Sequence, residues 1–172
     1  MLKGINFSLK AFLIQKNNSV SKSVDFSLKK AGISTFISDI SDAIEQMRYI
    51  LEDDEKLELK NSKRKEREKL FRSFWKKRDP TPNGFQNELM EEYYRRVHYA
   101  NEHFTSFQPG WESDMGMIYI LFGVPDDVER INSHSERKVF EVWHYLGINR
   151  NFTFVDENGF GDFRLQTPFF GY

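Results

Sequence analysis

The chain has no cysteine. That absence excludes a disulfide framework, a thiolate zinc site and a cysteine nucleophile, while leaving both reducing and oxidising compartments open. Long apolar runs are missing too. The first ten residues, MLKGINFSLK, hold no signal-peptide core, and no segment approaches the roughly 20 apolar residues that cross a bilayer. Neither sign of charge dominates. The 25 basic and 26 acidic residues leave a net −1, which gives no global pull toward nucleic acid or acidic membranes. Internal repeats and low-complexity stretches are absent as well. Aromatics, by contrast, are abundant: 17 Phe, 7 Tyr and 3 Trp in 172 residues supply large buried areas and argue for one well-filled core.

The pattern changes along the chain. Ile5, Phe7, Leu9, Ala11 and Leu13 alternate, as do Val24, Phe26 and Leu28, which predicts two antiparallel strands turning around Asn17 and Asn18. Such a hairpin is marginal alone. It either joins a sheet at the far end of the chain or is the last hairpin of a preceding β domain; we favour the second. Ile40, Ile44, Met47 and Leu51 then fall on one helical stripe. Asp39, Ser41 or Asp42 can cap its start, and Asp42 with Glu45 has capping-box spacing. Glu52 to Glu55 marks a break or a new start, and a helix after Ser62 carries Leu70, Phe71, Phe74 and Trp75. It must stop near Arg78, before Asp79, Pro80, Thr81 and Pro82.

A further helix puts Phe85, Leu89, Tyr93, Val97, Ala100 and Phe104 on a ridge, with Glu91–Arg95 and Glu92–Arg96 pairs on its other side. Pro109 and Gly110 end it. The apolar run Met117 to Phe122 reads as a buried strand, and Gly123 to Asp126 as a turn. Val139 to Leu146, Asn151 to Val155 and Phe160 to Leu165 read as strands, the last pair joined by a turn at Asn158 and Gly159. The expected class is α+β: three or so N-terminal helices packed on a small antiparallel β-sheet, preceded by a β-hairpin. Residues 1–35 would be that hairpin, a remnant of an upstream β domain, 36–166 the α+β domain and 167–172 a tail.

Gly110-Trp111-Glu112-Ser113-Asp114, running on through Gly116-Met117-Ile118-Tyr119-Ile120-Leu121-Phe122-Gly123-Val124-Pro125-Asp126, resembles the GWxTD domain, a family found mainly in Bacteroidetes and related bacteria. Upstream, Phe74-Trp75, Arg78-Asp79-Pro80-Thr81-Pro82, Glu92-Tyr93-Tyr94-Arg95-Arg96-Val97 and Tyr99-Ala100-Asn101 fit the same pattern. Downstream, Ile148-Asn149-Arg150, Phe152, Phe154-Val155-Asp156 and Gly159-Phe160-Gly161-Asp162 fit it too. The likeness spans residues 36–165. Ser113 stands where the name motif has Thr, Val124 where Pro is common, and Met115 and Met117 where a more polar pattern is usual. The resemblance implies a C-terminal domain that follows β-rich segments in longer, exported proteins, hence a periplasmic, envelope or secreted location. No activity comes with it.

The residues offer little catalytic promise of their own. His98 and His103, five apart on a helix, point about 140° from each other, whereas a helical metal pair wants a spacing of three or four. His134 falls in a polar loop and His144 in a strand, so no metal or cofactor is expected. Ser113-Asp114 lacks the glycine context of a nucleophile elbow and reads as a cap for the loop entering the first strand. Trp75, Tyr93 and Trp111 read as core anchors, Gly110 as a helix end and Gly161 as hairpin geometry, while Asn101 joins the set through the resemblance alone, as a structural or binding position. Arg78, Asp79, Arg95, Arg96, Arg150, Asp156, Asp162 and Arg164 could form ion pairs tying helices to strands, or line a cleft for a small anion or peptide. Residues 60–78 carry ten basic side chains against Glu66 and Glu68, a local +8, on what reads as a solvated helix face. Three functions stay open. The leading one is a non-catalytic structural or protein-interaction module, with a protein partner or a neighbouring β domain. The others are an enzyme or small-ligand binder with a dispersed Asp/Arg/Tyr site, and nucleic-acid binding through the basic helix.

Overall fold

The computed structural model describes residues 5–15, 18–28, 33–133 and 138–166. The fold is α+β, with five α-helices and two antiparallel sheets among the described residues. Strands β1 (Ile5–Gln15) and β2 (Asn18–Leu28) pair with each other in a two-stranded sheet of their own, so the hairpin does not extend the C-terminal sheet. Residues 16–17 of its expected turn, His134 and the tail 167–172 lie outside the described residues.

Four helices follow, and each start has a local cause. Helix α1 (Ile40–Gln46) is capped by Asp39, whose Oδ1 accepts from the amides of Ser41 at 2.6 Å and Asp42 at 3.4 Å, rather than by an Asp42–Glu45 box. Glu52 begins α2 (Asp53–Asn61), its amide donating back to Glu55 Oε2 at 3.1 Å. Helix α3 (Arg64–Lys77) ends at Arg78, before the proline-bearing segment. Asn87 then opens α4 (Glu88–His103): its Oδ1 accepts from Met90 N at 2.9 Å, and its Nδ2 donates to Trp75 O at 2.6 Å. One buried side chain thereby ties the last turn of α3 to the first of α4.

These helices enclose the first core. Trp75, Tyr93 and Tyr94 pack with ring centroids 5.3 to 5.7 Å apart. Both tyrosine hydroxyls reach back to α1, Tyr94 donating to Ala43 O at 2.8 Å and Tyr93 to Gln46 O at 2.5 Å. The buried ridge of α4 is Met90, Tyr93, Tyr94, Val97 and Ala100. Phe85, 92% exposed, precedes the helix and does not join that ridge, and Leu89 faces outward.

The run Met117–Phe122 is not a strand. It lies in helix α5 (Asp114–Phe122), capped by Ser113 and closed by Gly123 at φ 81°. A short apolar run has no readable period, and a glycine followed two residues later by Pro125 is as much a helix stop as a strand turn. Helix α5 packs on a four-stranded antiparallel sheet ordered β3 (Asp127–Ser133), β4 (Lys138–Tyr145), β5 (Arg150–Asp156) and β6 (Arg164–Leu165). Strand β3 went unread because its sequence, DVERINS, is largely polar, as an edge strand permits. Residues 160–163 stay outside the last strand. Register sets Trp143 opposite both Val128 and Phe152, and Phe154 opposite Leu165. Trp143, Tyr145, Phe152 and Phe154 thus share one face and meet Met115, Ile118 and Tyr119 of α5 in a second core. Phe104 packs against both cores.

Burial raises the phenol pKa of Tyr93, Tyr94 and Tyr145 well above the ordinary 10.0. The neutral ring is the folded species, so its contribution is intact below pH 10 and shrinks above it. Each such phenol should remove about 1.4 kcal/mol of stability per pH unit beyond that point. Alkaline titration followed at 295 nm should show these tyrosinates appearing together with loss of far-ultraviolet circular dichroism. Their ionisation near pH 10 in a chain that stays folded would contradict the burial.

Candidate functional site

The motif Gly110–Asp114 forms the joint between the two cores. Residues Gly110–Glu112 make a single 3₁₀ turn, and Ser113 caps α5, its Oγ accepting from Gly116 N at 3.0 Å and donating to Gly110 O at 2.7 Å. Gly110 has to be glycine. A Cβ there would lie 1.9 Å from Ala100 O and 2.9 Å from Asn101 Cα, in the backbone of α4. Gly116 is constrained in the same way, because its Cβ would meet Gly110 O at 1.9 Å. Three backbones therefore touch where the motif crosses α4.

Polar groups lock that crossing. Asn101 Oδ1 accepts from Trp111 N at 3.0 Å, and Thr105 Oγ1 accepts from Gly110 N at 3.0 Å. Trp111 is buried, and its carbonyl accepts from Tyr49 OH at 2.9 Å. The Arg48 guanidinium lies 4.0 Å over the indole and pairs with Glu112 at 3.2 Å. Asp114 reaches the sheet, Oδ2 accepting from Leu165 N at 2.8 Å. The cap expected at Ser113-Asp114 therefore exists, but it opens a helix rather than a strand. Arg48, Tyr49 and Thr105 were not anticipated, since no spacing rule connects residues that meet only through packing.

The remaining motif residues shape turns and tie neighbouring elements together. Arg78 lays its guanidinium 3.7 Å over Phe74 and pairs with Glu55 at 3.1 Å. Asp79 accepts from Thr81 N at 2.9 Å, forming a turn. Arg95 chelates Glu92 at 2.8 and 2.9 Å, and Arg96 reaches the same carboxylate at 2.7 Å. Arg95, with Arg96 behind it, holds the Glu92 carboxyl below its ordinary range. Arg96 also donates to Ile120 O and Leu121 O, at 3.2 and 3.3 Å, satisfying carbonyls at the end of α5. Asp156, buried, accepts from the amides of Asn158, Gly159 and Gly161 at 2.8 to 3.2 Å and so shapes the loop in which Gly161 adopts φ 79°. Asp162 holds Arg164 at 2.8 Å and Ser106 Oγ at 3.4 Å. Helix-to-strand ties thus run through side chain to backbone bonds more than through the ion pairs expected.

Asp114, Arg150 and His98 occupy separate settings: the α5–β6 contact, the exposed start of β5, and the outer side of α4. His98 packs 5.4 Å from Phe36 and lies 3.3 Å from Glu102, while His103 stacks on Tyr99 at 3.8 Å. His144 contacts Asn151 Oδ1 at 3.0 Å. Among the described residues no three His, Asp or Glu gather as metal ligands, and no helix is long and apolar enough to cross a membrane.

The family model for the GWxTD domain matches residues 10–164. This chain belongs to the GWxTD domain family. The match takes in most of the β1–β2 hairpin as well as both cores, a longer span than the motifs alone delimit. No curated protein and no solved structure matches the chain. In this GWxTD domain the signature residues build the junction of α4, α5 and β6.

Three substitutions test that role. Gly110→Ala should cost about 3 kcal/mol, because the methyl group meets helix backbone that cannot yield. Ser113→Ala should cost about 1–2 kcal/mol through loss of the cap, whereas Ser113→Thr keeps the hydroxyl and should stay within about 0.5 kcal/mol of the parent. Urea unfolding midpoints check all three.

Proposed function

We propose that this GWxTD domain is a non-catalytic interaction module of a larger, exported bacterial protein, docking against a neighbouring β domain or another protein of the cell envelope. The β1–β2 hairpin carries the reading. Its strands run eleven residues each, and Leu9 and Val24 face one another across them at 61% and 53% exposure. A two-stranded ribbon is marginal in water, and paired apolar side chains left in solvent call for a covering surface. The signature residues point the same way, since their polar groups are spent on internal bonds instead of converging on a substrate. The exported setting rests on the family pattern alone.

Crosslinking and affinity capture from the envelope fraction of the producing cells test this. One discrete protein should be captured by the parent and by Leu146→Ser, an exposed change elsewhere, and lost with Leu9→Ser/Val24→Ser. Equal capture by the double variant, or no discrete partner, would count against the proposal.

A further inference from the structure

The tripeptide Asn-Gly-Phe occurs twice in the chain, at Asn83–Phe85 and at Asn158–Phe160. We infer that the first copy is a site of spontaneous deamidation, where Asn83 becomes aspartate or isoaspartate, and that buried Asp156 guards the second copy from the same reaction. Asn-Gly is prone to this change because glycine has no side chain to obstruct its own amide nitrogen. That nitrogen gives its proton to solvent hydroxide and attacks Cγ of the preceding asparagine. The new N–Cγ bond closes a five-membered imide as the Cγ–Nδ2 bond breaks, and ammonia leaves with a proton taken from water. Water then opens the imide at either carbonyl. One opening gives aspartate, the other isoaspartate with an extra methylene in the main chain.

Identical tripeptides share their local chemistry, so the surroundings decide. Solvent reaches both copies, since residues 80–86 and 157–161 are exposed. What differs is the group that holds the glycine amide. Gly84 N donates to the neutral carbonyl of Thr81 at 2.7 Å, closing one four-residue turn. Gly159 N donates instead to Asp156 Oδ1 at 2.8 Å, and the same carboxylate takes the amides of Asn158 at 3.2 Å and Gly161 at 2.8 Å. Asp156 is 4% exposed and ends β5, so this clamp cannot swing away with the loop. To turn toward Asn158 Cγ, the Gly159 nitrogen must leave a charged acceptor, a bond roughly twice as strong as one to a neutral group. A carboxylate beside it also opposes the negative charge that its deprotonation creates. Gly84 meets neither restraint.

The two positions also differ in what a change would disturb. Asn83 lies in the connection between α3 and α4, outside both cores, so its conversion adds a negative charge and leaves the flanking helices in place. An isoaspartate at position 158 would lengthen the loop inside the clamp and pull the amides of Gly159 and Gly161 off the carboxylate.

The test holds the whole chain at mildly alkaline pH, digests it after successive intervals and maps the peptides by mass spectrometry. Replacement of NH2 by OH marks each event, and chromatography separates isoaspartyl from aspartyl peptides. In the folded parent, Asn83 should convert about tenfold faster than Asn158. In concentrated urea the two rates should converge, because only structure distinguishes the copies. Asn83→Gln, whose imide would need a six-membered ring, should lose the fast product and leave the Asn158 rate unchanged. Asp156→Ser should raise the Asn158 rate toward that of Asn83. If Asp156→Ser fails to fold, the comparison of folded with urea-unfolded parent still decides. Conversion of Asn158 as fast as Asn83 in the folded chain, no conversion of Asn83, or a gap that persists in urea would overturn the inference.

Discussion

The contact between the Gly110 backbone and helix α4 governs the architecture. Absence of a side chain lets the 3₁₀ turn lie directly on the carbonyl of Ala100, and Asn101 then reads the amide of Trp111. Only at that separation does Trp111 enter the first core while Ser113 starts α5 in the direction of the sheet. Gly116 repeats the requirement from the other side, packing α5 against the turn that launched it. Any residue with a Cβ at Gly110 would displace the tryptophan and rotate α5 off the sheet together. The signature is therefore a statement about backbone proximity, and its polar residues are the bolts of that joint.

Around it the fold relies on aromatic residues whose polar ends reach backbone. Tyr49, Tyr93, Tyr94 and Tyr145 each donate to a main-chain carbonyl, at Trp111, Gln46, Ala43 and Gly123. Each supplies apolar area while satisfying a carbonyl at a turn or helix end, where the regular ladder has stopped. Arg96 serves α5 in the same manner from outside the core. This is why so much of the charge in the motif stretches turns inward to backbone rather than pairing across elements.

Much of this was legible. Helices α3 and α4 announced themselves through period and breakers, because long amphipathic segments flanked by proline leave few alternatives. Strands β4 and β5 were clear from alternating aromatics. Helix α5 was not, since an apolar run buried nearly all round carries no amphipathic signature, and its Gly123 stop imitates a hairpin turn. The edge strand β3 offers only Val128 and Ile131, both half-exposed and too far apart to make an alternating pattern. At the junction, Asn101, Gly110, Trp111, Ser113 and Asp114 could be singled out, but not their pairing or their partners Arg48, Tyr49, Thr105 and Leu165. Tyr49 is 62 residues from Trp111 in the chain, and Leu165 is 51 from Asp114. Pairings that distant are fixed by tertiary packing and leave no local mark.

Phe104 sets a lower limit on how small this structure can be cut. Its ring fills space in both cores, with Tyr99, Tyr119 and Trp143 around it at 5.5 to 5.9 Å. Excising the helical segment would strip one flank of that ring and leave Trp111 without the run into α5. Excising the sheet with α5 would expose the other flank and deprive Leu165 and Asp114 of each other. A cut that spares both flanks has to keep Ile33 and Ile37, which belong to the first core ahead of α1, as well as everything through β6, and boundaries drawn at the visual seam between helices and strands would sever the element that joins them.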